Sequence, residues 1–150
     1  MKIRVYGSRD CPALIRLFRE TVHTACAGNY GPEQLDAWAP EDMNLAAWDA
    51  SLSAHDTLLA VEESRIIGFA DMTPEGYLDR LYVHPEMQRR GVASVLCDLL
   101  ERRCDVPVLT THASLTARPF FERRGWRVLR EQQVERRGVL FTNFLMELRR

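Results

Sequence analysis

The segment that most constrains this chain runs from Tyr77 to Leu100, "YLDRLYVHPEMQRRGVASVLCDLL". A β-type run, "YLDRLYVH", is stopped at Pro85, which fits neither the interior of a strand nor that of a helix. From about Gly91 to Arg103, Val92, Val95, Leu96, Leu99 and Leu100 recur at i, i+3, i+4, i+7 and i+8, the apolar face of one helix. "VPVLTTH" follows as another strand, so the three pieces predict a strand–helix–strand crossover. The loop between strand and helix has the chemistry of an anion site. Unpaired N–H groups of the first helical turn point outward, and the helix dipole adds about half a positive charge there. Gly91 permits a tight turn and close backbone approach, Ala93 keeps bulk away, and Arg89 and Arg90 offer charge-assisted bonds to phosphate oxygens. The Gly-Lys-Ser/Thr of a nucleotide loop and the GxGxxG of a dinucleotide fold are both missing, which argues against those two folds.

The rest of the chain supplies partners for that unit. "KIRVY" alternates Ile3 and Val5 with Lys2 and Arg4, as a half-buried strand would. Leu14, Leu17, Phe18, Val22 and Ala25 then mark a helix that has Pro12 in its first turn, Ser8 or Asp10 as cap, and Gly28 as its stop. "PEQLDAW" and "MNLAAWDASL" read as two shorter helices, the second with Leu45, Trp48 and Leu52 on one face. "TLLAVEE" and "RIIGFADM" form a hairpin about Ser64. Ser114 caps a helix carrying Ala117, Phe120 and Phe121 that Gly125 closes, and the tail reads as two strands turning near Arg137-Gly138. The pattern predicts an α/β domain over residues 1–150, built on a mixed sheet.

With 20 basic and 21 acidic residues the chain has no global field for nucleic acid, and "ERR" and "RGVLF" stand without aromatic RNA-binding signatures. No apolar run approaches a membrane span and "MKIRVYGSRD" is no signal peptide, so the expected location is cytoplasmic. Cys11, Cys26, Cys97 and Cys104 form no CxxC pair and no zinc spacing with histidine, which predicts reduced thiols and no metal.

"QRRGVA" resembles the Q/R-x-x-G-x-G/A motif of the GCN5-related N-acetyltransferase (GNAT) superfamily, and "SLTARPFFERRGW" resembles that family's later N-x-x-A-x-x-F-Y-E-x-x-G-F segment. The resemblance covers essentially the whole chain. It implies a mostly antiparallel sheet of six to seven strands flanked by four to five helices. It also implies an acyltransferase that moves acetyl from acetyl-coenzyme A to an amine in a ternary complex, with a homodimer common for the fold. Gln88, Arg89, Arg90, Gly91, Val92, Ala93 and Ser94 are implied to hold the pyrophosphate, chiefly by backbone N–H. Leu81, Tyr82 and Val83 are implied to pair their backbone with the pantetheine arm and to polarise the thioester carbonyl. Ser114 stands where the family often has Asn, and Arg118, Arg123 or Arg124 is implied to reach the adenosine phosphates.

One departure concerns the acid. The family's frequent tyrosine, which protonates the leaving thiolate, aligns with Phe121, and Tyr30 is the substitute that the sequence offers. For the base, Asp79 lies two residues before Leu81, on the face expected to include Leu81 and Val83, with Asp71 and His112 as rivals. Asp79 beside Arg80 also reads as an ordinary surface ion pair. "GNYGPEQLDAWAP" combines turn residues and aromatics, as the wall of an acceptor pocket for an apolar or aromatic amine would, and equally as a helix–helix connection. A coenzyme A-binding sensor on the same fold is the alternative function.

Overall fold

The computed structural model describes residues 1–150. In chain order the elements are β1 (Lys2–Val5), α1 (Cys11–Ala25), α2 (Pro32–Trp38), α3 (Leu45–Ala54), β2 (Asp56–Glu62), β3 (Arg65–Met72), β4 (Tyr77–Val83), α4 (Val92–Arg103), β5 (Val108–Ser114), α5 (Arg118–Arg123), β6 (Arg127–Arg136) and β7 (Val139–Arg149). The strands form one seven-stranded sheet in the order β1-β2-β3-β4-β5-β7-β6. Every neighbouring pair is antiparallel except β4 and β5, which the α4 crossover joins in parallel. The expected mixed α/β sheet with five helices is therefore what forms.

The helices divide between the two faces. Leu96, Leu100 and Phe121 from α4 and α5 pack with Ile67, Met72, Leu78, Leu109, Phe144 and Met146 on one side. Leu14, Phe18, Leu35 and Leu52 from α1, α2 and α3 pack with Leu59, Phe69 and Phe141 on the other. Gly68 on β3 lets α4 sit close, because a Cβ there would meet Val92 Cγ1 at 3.1 Å.

Three local expectations change. Val5 is 62% exposed, so β1 is an edge strand that buries little beyond Ile3. Asp10 does not cap α1; its buried carboxylate accepts from the Gly7 N–H at 2.9 Å and from both terminal nitrogens of Arg4, which fixes a 3-10 turn at Ser8–Asp10. In α3 the Asn44 side chain caps by accepting from Ala47 N–H at 3.0 Å, and Leu45, expected on the buried face, is 48% exposed.

The deviation that matters most lies in β4. Asp71 pairs with Arg80 but Met72 pairs with Leu78, so Asp79 is the extra residue of a β-bulge. The bulge breaks the period-2 alternation. Leu81 and Val83 stay with Leu78 on the α4 side, whereas the Asp79 carboxylate lies 3.3 Å from the Arg80 guanidinium and 3.9 Å from His55 Nδ1. Asp79 therefore does not simply extend the row of Leu81 and Val83.

Candidate active site

β4 and β5 pair only at Tyr77–Thr110 and Leu78–Thr111 and then diverge. The opening continues into a cavity of about 580 Å³, lined by β4 from Leu78 to Val83, β5 from Thr111 to Ser114, the loop after β4, and Ala117, Phe120, Phe121 and Arg123 beside α5. Along this edge the β4 backbone is free on one side. The His84 N–H donates to the Ile67 carbonyl of β3 at 2.8 Å, so alternation turns the amide groups of Val83 and Leu81 toward the opening and those of Tyr82 toward β3. The Val83 carbonyl already accepts from Gln88 Nε2 at 2.6 Å and Thr21 Oγ1 at 3.2 Å. Leu81 is thus the residue with a free backbone edge in the cleft.

At one end of this cavity the loop presents a ring of backbone. Arg89 at φ +63° and Gly91 at φ +80° are both left-handed, with Arg90 between them. Reversals of this kind bring successive N–H groups into one concave nest, here at the N-terminus of the 12-residue α4. A Cβ at Gly91 would find no atom within 4 Å, so the space beside it is open. Arg89, Gly91, Val92, Ala93 and Ser94 line the cavity together with Gln88.

A second cavity, about 270 Å³, opens on the α1–α3 side and is walled by Phe18, Tyr30, Trp38, Trp48, Tyr77, Tyr82 and Phe141. The first cavity also reaches this side, through Thr21, Ala25, Cys26 and Trp38. Asp79, Arg80, Tyr82, His112, Ser114 and Trp38 line both cavities. The two spaces therefore meet where β4 and β5 part. Burial holds the His112 imidazole below its ordinary range, with Arg130 and Arg136 adding to the effect, while burial pushes the Tyr77 phenol up to about 12. Near neutral pH the pair is an uncharged imidazole and a protonated phenol, sharing a hydrogen bond of 2.8 Å at His112 Nδ1.

Residues 26–148 match the model of the acetyltransferase (GNAT) domain. The chain belongs to the GNAT acetyltransferase family. It is 38% identical to the uncharacterized N-acetyltransferase YafP of Escherichia coli over 146 residues, which cover 97% of this chain and 94% of that one. A GCN5-related N-acetyltransferase of Rhodopseudomonas palustris superposes with a TM-score of 0.95 at 30% identity, covering 99% of this chain and 94% of that chain. The PaiA N-acetyltransferase of Thermoplasma acidophilum, solved in complex with coenzyme A, shares the fold at a TM-score of 0.80 and 20% identity over the full length of both.

The first cavity gathers most of the residues named from the sequence, but not all. Arg90 turns away from the cavity toward Glu62, 3.4 Å distant. Arg118 lies outside the cavity lining, paired with Glu122 and stacked 4.5 Å over the Phe144 ring. Arg124 is bound by Asp98 and Glu101, which leaves Arg123 as the α5 arginine at the cavity. Ser114 does not cap α5, which begins at Arg118 with Ala117 as its N-cap and no side-chain cap. As the last residue of β5 it lines the cavity, and its Oγ accepts from the Ala117 N–H at 3.0 Å to hold the intervening turn. Phe121 is 3% exposed and packs on Trp126 in the core beneath the cavity. The Tyr30 hydroxyl donates to the Thr142 carbonyl at 2.8 Å and accepts from the Leu115 N–H at 2.9 Å. The two bonds tie the segment after α1 to β7 and to the turn after β5, and Tyr30 lines only the second cavity, away from the expected thiol path.

A cluster that no sequence pattern indicated supports Asp79 from behind. Asp71 is fully buried and accepts from Arg80 at 2.5 Å and pairs with His55 Nδ1 at 2.7 Å. Burial pushes its carboxyl up against the opposing pull of Arg80 and His55. Arg80 also donates to Ser51 Oγ at 2.9 Å and stacks over Trp48 at 4.8 Å. Asp71 is consumed in holding Arg80 and does not reach the solvent, so of the rival bases only His112 faces the cavities. Removing one partner of such a buried pair costs about 3–5 kcal/mol. Asp71→Ala is accordingly expected to lower the thermal midpoint by roughly 10 °C, measured by circular dichroism; a shift of a degree or two would show the pair to be dispensable.

Proposed function

We propose that this acyltransferase carries the acetyl group of acetyl-coenzyme A to the amine of a small molecule by direct transfer, the two substrates entering through the two adjoining cavities. The observation that supports this is the meeting of the two cavities at Asp79, His112 and Ser114. The residues present fit acetyl-coenzyme A: open space beside a left-handed Gly91, an N–H nest at a helix N-terminus, and an unpaired β4 edge leading away from it. When bound, the cosubstrate supplies an activated acetyl thioester. Gln88, Arg89 and the backbone from Gly91 to Ser94 hold the diphosphate, and the Leu81 backbone orients the pantetheine arm beside the parting strands. Proximity of this kind supplies much of the rate in such transfers.

The acceptor enters on the aromatic side and reaches the junction as an ammonium. Asp79 takes its proton, with His112 the second reading on the strength of its uncharged imidazole. With phenylalanine at position 121, the thiol departs without a tyrosine acid. At pH 7 a thiol of ordinary pKa leaves as thiolate at a cost of about 2 kcal/mol, which slows the reaction without preventing it. The test is thiol release from acetyl-coenzyme A, followed with a chromogenic disulfide across a panel of primary amines. Amine-dependent release supports the reading. Micromolar acetyl-coenzyme A binding with no amine-dependent release overturns it in favour of a coenzyme A-binding sensor.

A further inference from the structure

The wall of the acceptor cavity formed by β6 and β7 has an ordered chemical gradient. Asn143 pairs with Ser114 on one side and with Gln132 on the other, so it lies at the inner end, beside the residue shared with the cofactor cavity. Two residues toward the rim, Phe141 pairs with Val134 on the same face. Two further along β6 comes Arg136. Polar, apolar and cationic positions thus follow one another along about 13 Å of strand.

Both polar ends are unsatisfied by the protein itself. Asn143 is 8% exposed, and its Oδ1 has no hydrogen-bond partner; a buried acceptor without a donor is costly. Arg136 rests 5.9 Å from the Phe141 ring and makes no ion pair, whereas its neighbour Arg137 is bound to Asp42. In the same cavity Arg80 is paired with the buried Asp71 and lies 3.3 Å from Asp79, the only lining carboxylate. That balance is wrong for a polycation, which would meet one carboxylate and a free guanidinium. The aromatic walls between the two ends suit a flat apolar body.

We infer that the acceptor is a small amine with an aromatic middle and an anionic group at its far end, the amine meeting Asn143 and Asp79 and the anion meeting Arg136. This rests on the acyl-transfer reading for the role of the amine end. The recognition of the anion stands on the cavity alone.

The test uses a matched set: 4-(aminomethyl)benzoate, benzylamine, which lacks the carboxylate, and spermidine. Binding to the full chain is measured by calorimetry with and without saturating coenzyme A, and kcat/KM by thiol release. The carboxylate probe should bind about fivefold tighter than benzylamine, as an ion pair at an exposed rim provides at its upper range. Salt should erode that ratio. Arg136→Gln should bring the ratio toward one, and Arg136→Lys should retain part of it. A ratio of one in the unaltered protein, a ratio that survives Arg136→Gln, or tightest binding by spermidine would each overturn the inference. Because the ratio is read from binding, it stands or falls separately from turnover: selective binding without thiol release would overturn the acyl-transfer reading and leave anion recognition intact.

Discussion

Gly91→Glu is expected to weaken acetyl-coenzyme A binding by roughly a hundredfold or more while leaving the protein folded. Two physical effects separate cleanly at this position. The backbone is left-handed at φ +80°, and an L-residue with a side chain there costs about 1–2 kcal/mol. No atom lies within 4 Å of the new Cβ, so there is no clash to add to that strain. The thermal midpoint should therefore fall by only about 2–8 °C. The loss of binding has a different origin. A carboxylate would occupy the open space beside the N–H nest and repel the diphosphate, removing contacts worth about 1.5–3 kcal/mol each when charge-assisted. Gly91→Ala carries the strain without the charge and should lose much less affinity. Calorimetric titration of the three proteins, with circular dichroism melts alongside, reads both effects. An affinity for Gly91→Glu within a few-fold of the parent would mean that the diphosphate does not sit at this loop.

That this loop could be found from sequence, whereas the groups behind it could not, follows from how each is encoded. The loop between β4 and α4 is a local device. Pro85 ends the strand, Gly91 supplies a conformation other residues resist, and the apolar stripe from Val92 to Leu100 places the helix, all within one short segment. Which arginines serve it is a tertiary matter. Arg90 and Arg124 found carboxylates on β2 and α4, and Arg118 found the Phe144 ring, none of which their own neighbourhood announces. The bulge at Asp79 was hidden for a related reason. Alternation reads a strand as if each residue had one partner, and nothing in "YLDRLYV" marks where β3 skips one. The His55–Asp71–Arg80 cluster joins the end of α3 to two strands, so its members are scattered through the sequence as unrelated polar residues. Tyr30 looked available for the same reason in reverse. Its partners, Leu115 and Thr142, lie on distant loops and strands and bind both sides of its hydroxyl.

The bulge makes Asp79→Asn the most informative test of the proposed base. By breaking the alternation it sets the Asp79 carboxylate against Arg80 and His55 while keeping it in the lining of both cavities. A base in that position removes the proton that an ammonium must lose before it can attack. Losing a general base typically costs about 10²–10⁴-fold in rate, and Asn fills nearly the same space without the charge, so kcat should drop by that range with acetyl-coenzyme A affinity little changed. The split between kcat and KM separates a base from a group that merely binds the cation. A carboxylate that only attracts the ammonium lowers the KM for the amine, so its loss would raise KM and leave kcat at saturating amine near that of the parent. The pH dependence adds a second check. Alkylamines titrate near 10, so the fraction of acceptor already neutral grows tenfold for each unit of rising pH below that value. The kcat deficit of Asp79→Asn should therefore shrink as pH climbs toward 9, because less of the substrate needs the base. His112→Gln is the companion measurement. The imidazole is held below its ordinary range by burial, so as a base it would produce a rate that rises with pH through the range below about 6.5 and then levels. A full rate in Asp79→Asn combined with loss of that rise in His112→Gln would move the base from β4 to β5.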